Sequence, residues 1–143
     1  MSGTRGACLF AAFAVVLVGG CAESNPAAER AATAAAEPWL ALMDAEEYER
    51  CWDAAAQLFR DTESRETWVT KAAGYRDPLG AFKSREQNVT RVIRNPWGAP
   101  SGLYAAVVYD SYWQNGTIFE TVHMQQQADG NWLVAGYNVR QQR

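Results

Sequence analysis

Two glycine turns, and the strand-like runs around them, most constrain what this 143-residue chain can fold into. After Gly80, residues 82–94, 103–114, 117–127 and 131–140 are rich in Val, Tyr, Thr, Phe and Ile and read as strands. Asn115-Gly116 predicts a two-residue hairpin between the second and third, because both residues tolerate positive φ. Asp129-Gly130 marks a turn between the third and fourth. The segment Asn95–Gly102, with two prolines and two glycines, makes a longer and stiffer connection between the first two. Strands joined by tight turns pair antiparallel, so a four-stranded meander is expected.

Before Gly80 the apolar spacing changes to that of helices. Pro38 suits a first helical position, and Trp39, Leu42 and Met43 follow at helical spacing. Asp44, three residues before Glu47, reads as the cap of a second helix. That helix carries Tyr48, Cys51, Trp52, Ala55, Leu58 and Phe59 on one stripe. Asp61, Thr62 and Ser64 offer caps for a third, whose Trp68, Ala72 and Tyr75 share a face and which ends by Gly74–Gly80. Helices ahead of a meander predict an α+β domain: N-terminal helices packed on a curved four-stranded antiparallel sheet. Six Trp, six Tyr and five Phe supply a large core for one such domain.

The N-terminus addresses location. A short polar start with Arg5, a twelve-residue apolar run from Ala7 to Val18, and then Gly19-Gly20-Cys21 describe an export signal over residues 1–20. The run is too short to span a bilayer. The small pair before Cys21 resembles a bacterial lipobox, in which the cysteine is lipidated and becomes the first mature residue; ordinary cleavage near Ala22 is the competing reading. Ala22 is not the aspartate associated with inner-membrane retention, so the outer membrane, facing the periplasm, is the expected destination. Residues 21–37 then read as the anchor cysteine and an Ala-rich tether, nascent helix or disordered, that needs no core, and 38–140 as the domain. With Cys8 in the signal and Cys21 lipidated, Cys51 has no partner for a disulfide and reads as a small buried hydrophobe.

Charge and motifs exclude several functions. Residues 21–80 carry twelve acids and six bases, and 81–143 four acids and six bases, far from the basic density of a nucleic-acid binder. Arg91, Arg94, Arg140 and Arg143 read as a solvated strand edge rather than a patch for phosphate or lipid headgroups. A single histidine, His123, with no CxxC rules out the usual metal motifs, and no phosphate loop or GxSxG elbow occurs. No cofactor or metal is expected. Glu120 falls on the Ile118/Val122/Met124 face of its strand and needs a cationic partner there; Arg76 and Arg85 are the candidates for a structural ion pair. The strand 103–113 is apolar on both alternations, so one face is left for a ligand or protein partner, around Tyr104, Asp110, Tyr112 and Trp113. An exposed Tyr-rich surface or added cover from the tether explains the same letters. The alternative is a small-molecule enzyme with Asp110, Glu120 and His123 as an acid–base site in a cone-shaped pocket.

Trp39-Leu40, Asp44, Tyr48, Trp52-Asp53-Ala54-Ala55, Phe59 and Ser64-Arg65-Glu66-Thr67-Trp68 together resemble the bacterial domain of unknown function 4019 family. The likeness continues through Arg76-Asp77-Pro78-Leu79-Gly80, Ser84-Arg85, Glu120-Thr121 and the stretch from Asp129 to Tyr137. It covers residues 38–140 and implies an exported or lipid-anchored envelope protein with no assigned activity. At the level of fold, the pattern is similar to cone-shaped nuclear-transport-factor-like and cystatin-like architectures.

Overall fold

A computed structural model describes residues 24–142. The export signal, Cys21 and the first two residues of the expected tether lie outside the described residues. The described residues form four helices and then four strands: α1 Pro26–Asp44, α2 Tyr48–Asp53, α3 Gln57–Thr62, α4 Arg65–Arg76, a 3-10 turn Asp77–Leu79, β1 Phe82–Arg94, β2 Leu103–Trp113, β3 Gly116–Gln126 and β4 Trp132–Gln141. The sheet is antiparallel throughout, in the order β1-β2-β3-β4. Strand bounds agree with the sequence reading to within a residue, because the period-2 patterning and the glycine turns act together.

The first correction concerns the tether. Residues 26–37 are the first three turns of α1 rather than a spacer. Alanine is the strongest helix former, Asn25 caps the helix by accepting the Ala28 N–H at 3.1 Å, and Pro26 occupies the first turn. Ala28, Ala32 and Ala36 recur every fourth residue and are buried, continuing into Trp39, Leu40 and Met43. Their small side chains let the helix lie close to the sheet, close enough for Thr33 and Thr90 hydroxyls to bond at 2.7 Å. Pro38 is therefore interior to α1. The carbonyl it leaves without a helical partner belongs to Ala34, on the exposed side and open to solvent.

The expected second helix is two. Between α2 and α3, Ala56 is extended (φ −60°, ψ 152°), and its N–H donates to the Val134 carbonyl at 2.8 Å. A bond to the edge strand β4 has replaced a helical one. Ser64 caps α4, accepting the Thr67 N–H at 3.1 Å. The α4 stripe Trp68, Ala72, Arg76 is buried. Trp39, Phe59, Trp68 and Tyr137 form the aromatic centre, with ring centroids 5.0 to 6.1 Å apart. Both buried indoles donate to backbone carbonyls of α2: Trp39 to Cys51 at 2.9 Å and Trp68 to Tyr48 at 3.0 Å. Cys51 is fully buried, and burial raises its thiol pKa to about 12, so it is a packed hydrophobe.

The β2–β3 turn lies one residue earlier than Asn115-Gly116. Gln114 and Asn115 form the loop, and Gly116 already pairs with Trp113. Asn115 is drawn into docking the hairpin tip on the segment after α4: its N–H bonds Leu79 O at 3.0 Å and its side-chain amide bonds Pro78 O at 3.1 Å. Gly80 makes the dock possible. It has φ 72°, and a Cβ there would meet Gln114 Oε1 at 2.8 Å.

All four helices lie on one side of the sheet, against Val92, Ala105, Val107, Tyr109, Val122, Met124, Val134 and Tyr137. Because the first turns of α1 pack there through the methyl groups of Ala28, Ala32 and Ala36, Ala32→Leu should overfill the interface and lower stability by about 1–3 kcal/mol. Ala34→Leu, on the exposed side of the same turn, should stay within about 0.5 kcal/mol of wild type in denaturant unfolding.

Candidate functional site

Alternation along β3 sends Glu120 toward the helices, where it is 0% exposed. An ionised carboxylate there must be paired. Arg76, the last residue of α4, donates from Nη2 to Glu120 Oε2 at 2.9 Å. Arg85, on β1, donates to Glu120 Oε1 from Nε at 3.0 Å and Nη2 at 2.7 Å. The Tyr137 hydroxyl, on β4, donates to Glu120 Oε2.

Two arginines on one carboxylate leave a surplus positive charge, and Asp44 balances it. Its carboxylate accepts from Arg76 Nη1 at 2.8 Å and from Arg85 Nη1 and Nη2 at 2.8 and 2.9 Å. The result is a closed ring of two cations and two anions. Trp113 lies under the Arg76 guanidinium, 4.7 Å from ring centroid to Cζ, and Phe82 lies under Arg85 at the same distance. Ser111 Oγ on β2 is a further acceptor for Arg85 Nε at 3.2 Å.

The ring therefore brings together Arg76, Arg85 and Glu120, and it adds Asp44, Tyr137 and Ser111. Asp44 corrects the sequence reading. It ends α1 instead of capping α2, whose first turn follows Glu47 without a side-chain cap. Two guanidiniums are stronger partners than a backbone N–H. The signal that could have found it is charge neutrality: one buried acid cannot balance two arginines, and Asp44 sits one residue beyond the buried Met43.

Burial alone would raise the Asp44 pKa, but the hydrogen bonds from Arg85 and Arg76 more than reverse this and hold it below its ordinary 3.8. Burial opposes both guanidinium charges, yet Tyr137, Glu120 and Asp44 around Arg76, and Asp44 and Glu120 around Arg85, keep both above the arginine norm. Burial, then the Glu120 charge, pushes Tyr137 well above an ordinary tyrosine. The Tyr109 phenol, beside Arg85, is raised to about 12, again chiefly by burial. Chemically the ring is self-contained: each charge faces its opposite, and the carboxylate most central to it is sealed from solvent.

The other face of the sheet carries Tyr104, Ala106, Val108, Asp110 and Tyr112 from β2, flanked by Val89 of β1 and Phe119, Thr121 and His123 of β3. Trp113 does not belong to it. One residue on from Tyr112, it points to the helix side, where it packs with Leu79 and Ile118. Tyr104 is buried by the loop that follows β1, its hydroxyl donating to Pro100 O at 2.9 Å and accepting from Gln125 Nε2 at 3.1 Å. Asp110 accepts from Asn88 Nδ2 at 2.7 Å and Gln142 Nε2 at 2.6 Å. Tyr112 is exposed. His123 Nε2 meets Asn138 Oδ1 at 2.9 Å, and burial lowers its pKa against the opposing effect of that bond.

Asp110, Glu120 and His123 do not converge. Glu120 is on the helix side and the other two are on the outer face. Asp110 pairs with Phe119 and His123 with Ala106, four residues apart along β2, or roughly 13 Å. An open groove of about 320 Å³ between α1 and the edge of β1 is lined by polar residues including Glu29, Arg30, Thr33, Glu37, Gln87 and Thr90. Among the described residues no group of His, Cys, Asp and Glu is placed to hold a metal, and no helix is long and apolar enough to cross a membrane.

A family model described as "Protein of unknown function (DUF4019)" matches residues 35–137. No curated protein and no solved structure matches the chain.

Two predictions follow from this geometry. Glu120→Gln leaves two buried guanidiniums against one carboxylate and should reduce stability by about 3–5 kcal/mol, whereas Asp110→Asn on the outer face should change it by less than about 1 kcal/mol. The pH dependence has two windows. His123 has a folded pKa below its ordinary 6.5, so the unfolded chain takes up the proton first. Stability is full above 6.5 and falls as the pH drops toward the folded value; His123→Gln should flatten that limb of a denaturant-midpoint profile. Asp44 has a folded pKa below 3.8, so its contribution is full above 3.8 and is lost on further acidification.

Proposed function

The chain belongs to the DUF4019 family of unknown function, and on that footing we propose that it is a cell-envelope lipoprotein whose single α+β domain binds a protein partner and carries out no catalysis. Cys21 bears the lipid, and in a Gram-negative cell the domain faces the periplasm from the outer membrane. The observation that carries the binding reading is the asymmetry of the sheet. Its inner face holds the helices and the charge ring, while its outer face presents Val89, Val108, Tyr112, Phe119 and Thr121 with no helix among the described residues packed over them. A broad mixed apolar and polar surface of this kind suits a protein partner better than an enclosed small molecule. Tyr104 and Asp110 shape that surface from within, each held by its own hydrogen bonds.

The acid–base reading loses support because its three side chains lie on two sides of the sheet. The ring offers it nothing further, since Glu120 and Asp44 are engaged by both arginines.

Two or three acyl chains on Cys21 anchor firmly where one would bind reversibly. Cys21→Ala should therefore move the exported protein from the membrane fraction to the soluble periplasm; retention in the membrane would remove the anchor. Native mass spectrometry of the gently purified protein should show a complex that Tyr112→Ala weakens without a change in thermal midpoint. A bound small-molecule mass would instead point to a ligand.

A further inference from the structure

Trp97 is 90% exposed, the most exposed of the large hydrophobic side chains among the described residues. It does not sit on a loose segment. The loop 95–102 is closed at its base by Asn95 N–H to Gly102 O and Gly102 N–H to Asn95 Oδ1, both at 2.8 Å. Pro96 is buried, and Pro100 O accepts the Tyr104 hydroxyl at 2.9 Å. Asn95 at φ 51° and Gly98 at φ 81° turn the chain on either side of the tryptophan. The fold thus holds an indole out into solvent on a rigid support, although burying it would be favourable.

The loop and the strands it joins are poor in acids. Between Glu86 and Asp110 there is no acidic residue, and Arg91 and Arg94 are the charged side chains. The position within the fold matters equally. α1 runs against the direction of β1, with Thr33 beside Thr90 and Asp44 beside Arg85. Its N-terminus therefore points toward the end of the domain where β1 finishes at Arg94 and the Trp97 loop begins. Four residues separate Cys21 from Pro26, and the five intervals they make limit the anchor to roughly 18 Å from the helix start.

From these observations we infer that the 95–102 loop is a second membrane contact. Trp97 seats in the headgroup region of the bilayer that holds Cys21. The inference rests on the reading of Cys21 as a lipid anchor. Tryptophan suits that depth because its ring is apolar and its N–H is polar, and a rigid loop loses little entropy on insertion. The tether between anchor and helix is too short to carry this end of the domain far from the surface.

The test uses the mature lipidated protein and its Trp97→Phe variant in phosphatidylethanolamine–phosphatidylglycerol vesicles, with and without bromine on the upper acyl carbons. Flotation reads the anchor, and bromine quenching reads Trp97. The expected result is that both proteins float and that wild type loses emission to brominated lipid while Trp97→Phe loses none. Equal quenching of the two floating proteins overturns the loop contact and leaves the anchor standing. The same holds if Trp97 keeps a red, water-exposed emission. Protein that fails to float overturns both readings. Trp97→Phe should keep the wild-type thermal midpoint, so misfolding would not confuse the comparison.

Discussion

The ring formed by Asp44, Arg76, Arg85 and Glu120 is the interaction on which the arrangement of the domain depends. Its members come from the end of α1, the end of α4, the first half of β1 and the middle of β3, 32 to 44 residues apart in sequence along the bonds that join them. Tyr137 ties in β4 and Ser111 ties in β2. Every strand and both long helices therefore meet at one electroneutral point. A buried ion pair adds little net stability over a well-packed apolar cluster, but a half-formed one is expensive. The ring thus favours the docked arrangement less by strengthening it than by penalising every partly docked alternative.

The aromatic packing has a complementary role. Trp39, Phe59, Trp68 and Tyr137 supply non-directional apolar burial that many arrangements of three helices could share. The ring is directional. Arg76 bridges both layers because the α4 stripe that buries Trp68 and Ala72 also brings position 76 to the sheet side, and Trp113 receives its guanidinium face. Tyr137 belongs to both systems, with its ring in the aromatic cluster and its hydroxyl on Glu120.

How much of this was legible in the sequence depended on the range of the cause. Strand bounds were readable because alternation and glycine turns are local. Glu120 was readable because an acid on an apolar alternation demands a cation, and Arg76 and Arg85 were the candidates near it. Asp44 was misread because its local signal, an acid three residues before Glu47, is that of a helix cap, and only the tertiary structure brings the arginines to it. Residues 26–37 were misread for a related reason. Alanine at every fourth position gives almost no hydrophobic contrast, so a helix that buries Ala28, Ala32 and Ala36 looks like a polar spacer. The break at Ala56 and the one-residue shift of the β2–β3 turn both come from hydrogen bonds to distant segments, which no window of sequence contains.

The early start of α1 changes what the proposed anchor can do. The four residues between Cys21 and Pro26 span five intervals and reach at most about 18 Å, little more than the radius of gyration of a domain of this size, roughly 13 Å. A spacer of sixteen residues would let the domain roam a deep layer above the bilayer and present any side to a partner. With so short a leash the proposed anchor would confine it to a thin sheet of space, turning about one end. Partners held in the same membrane would then meet it in two dimensions, at an effective concentration far above that of a freely diffusing protein.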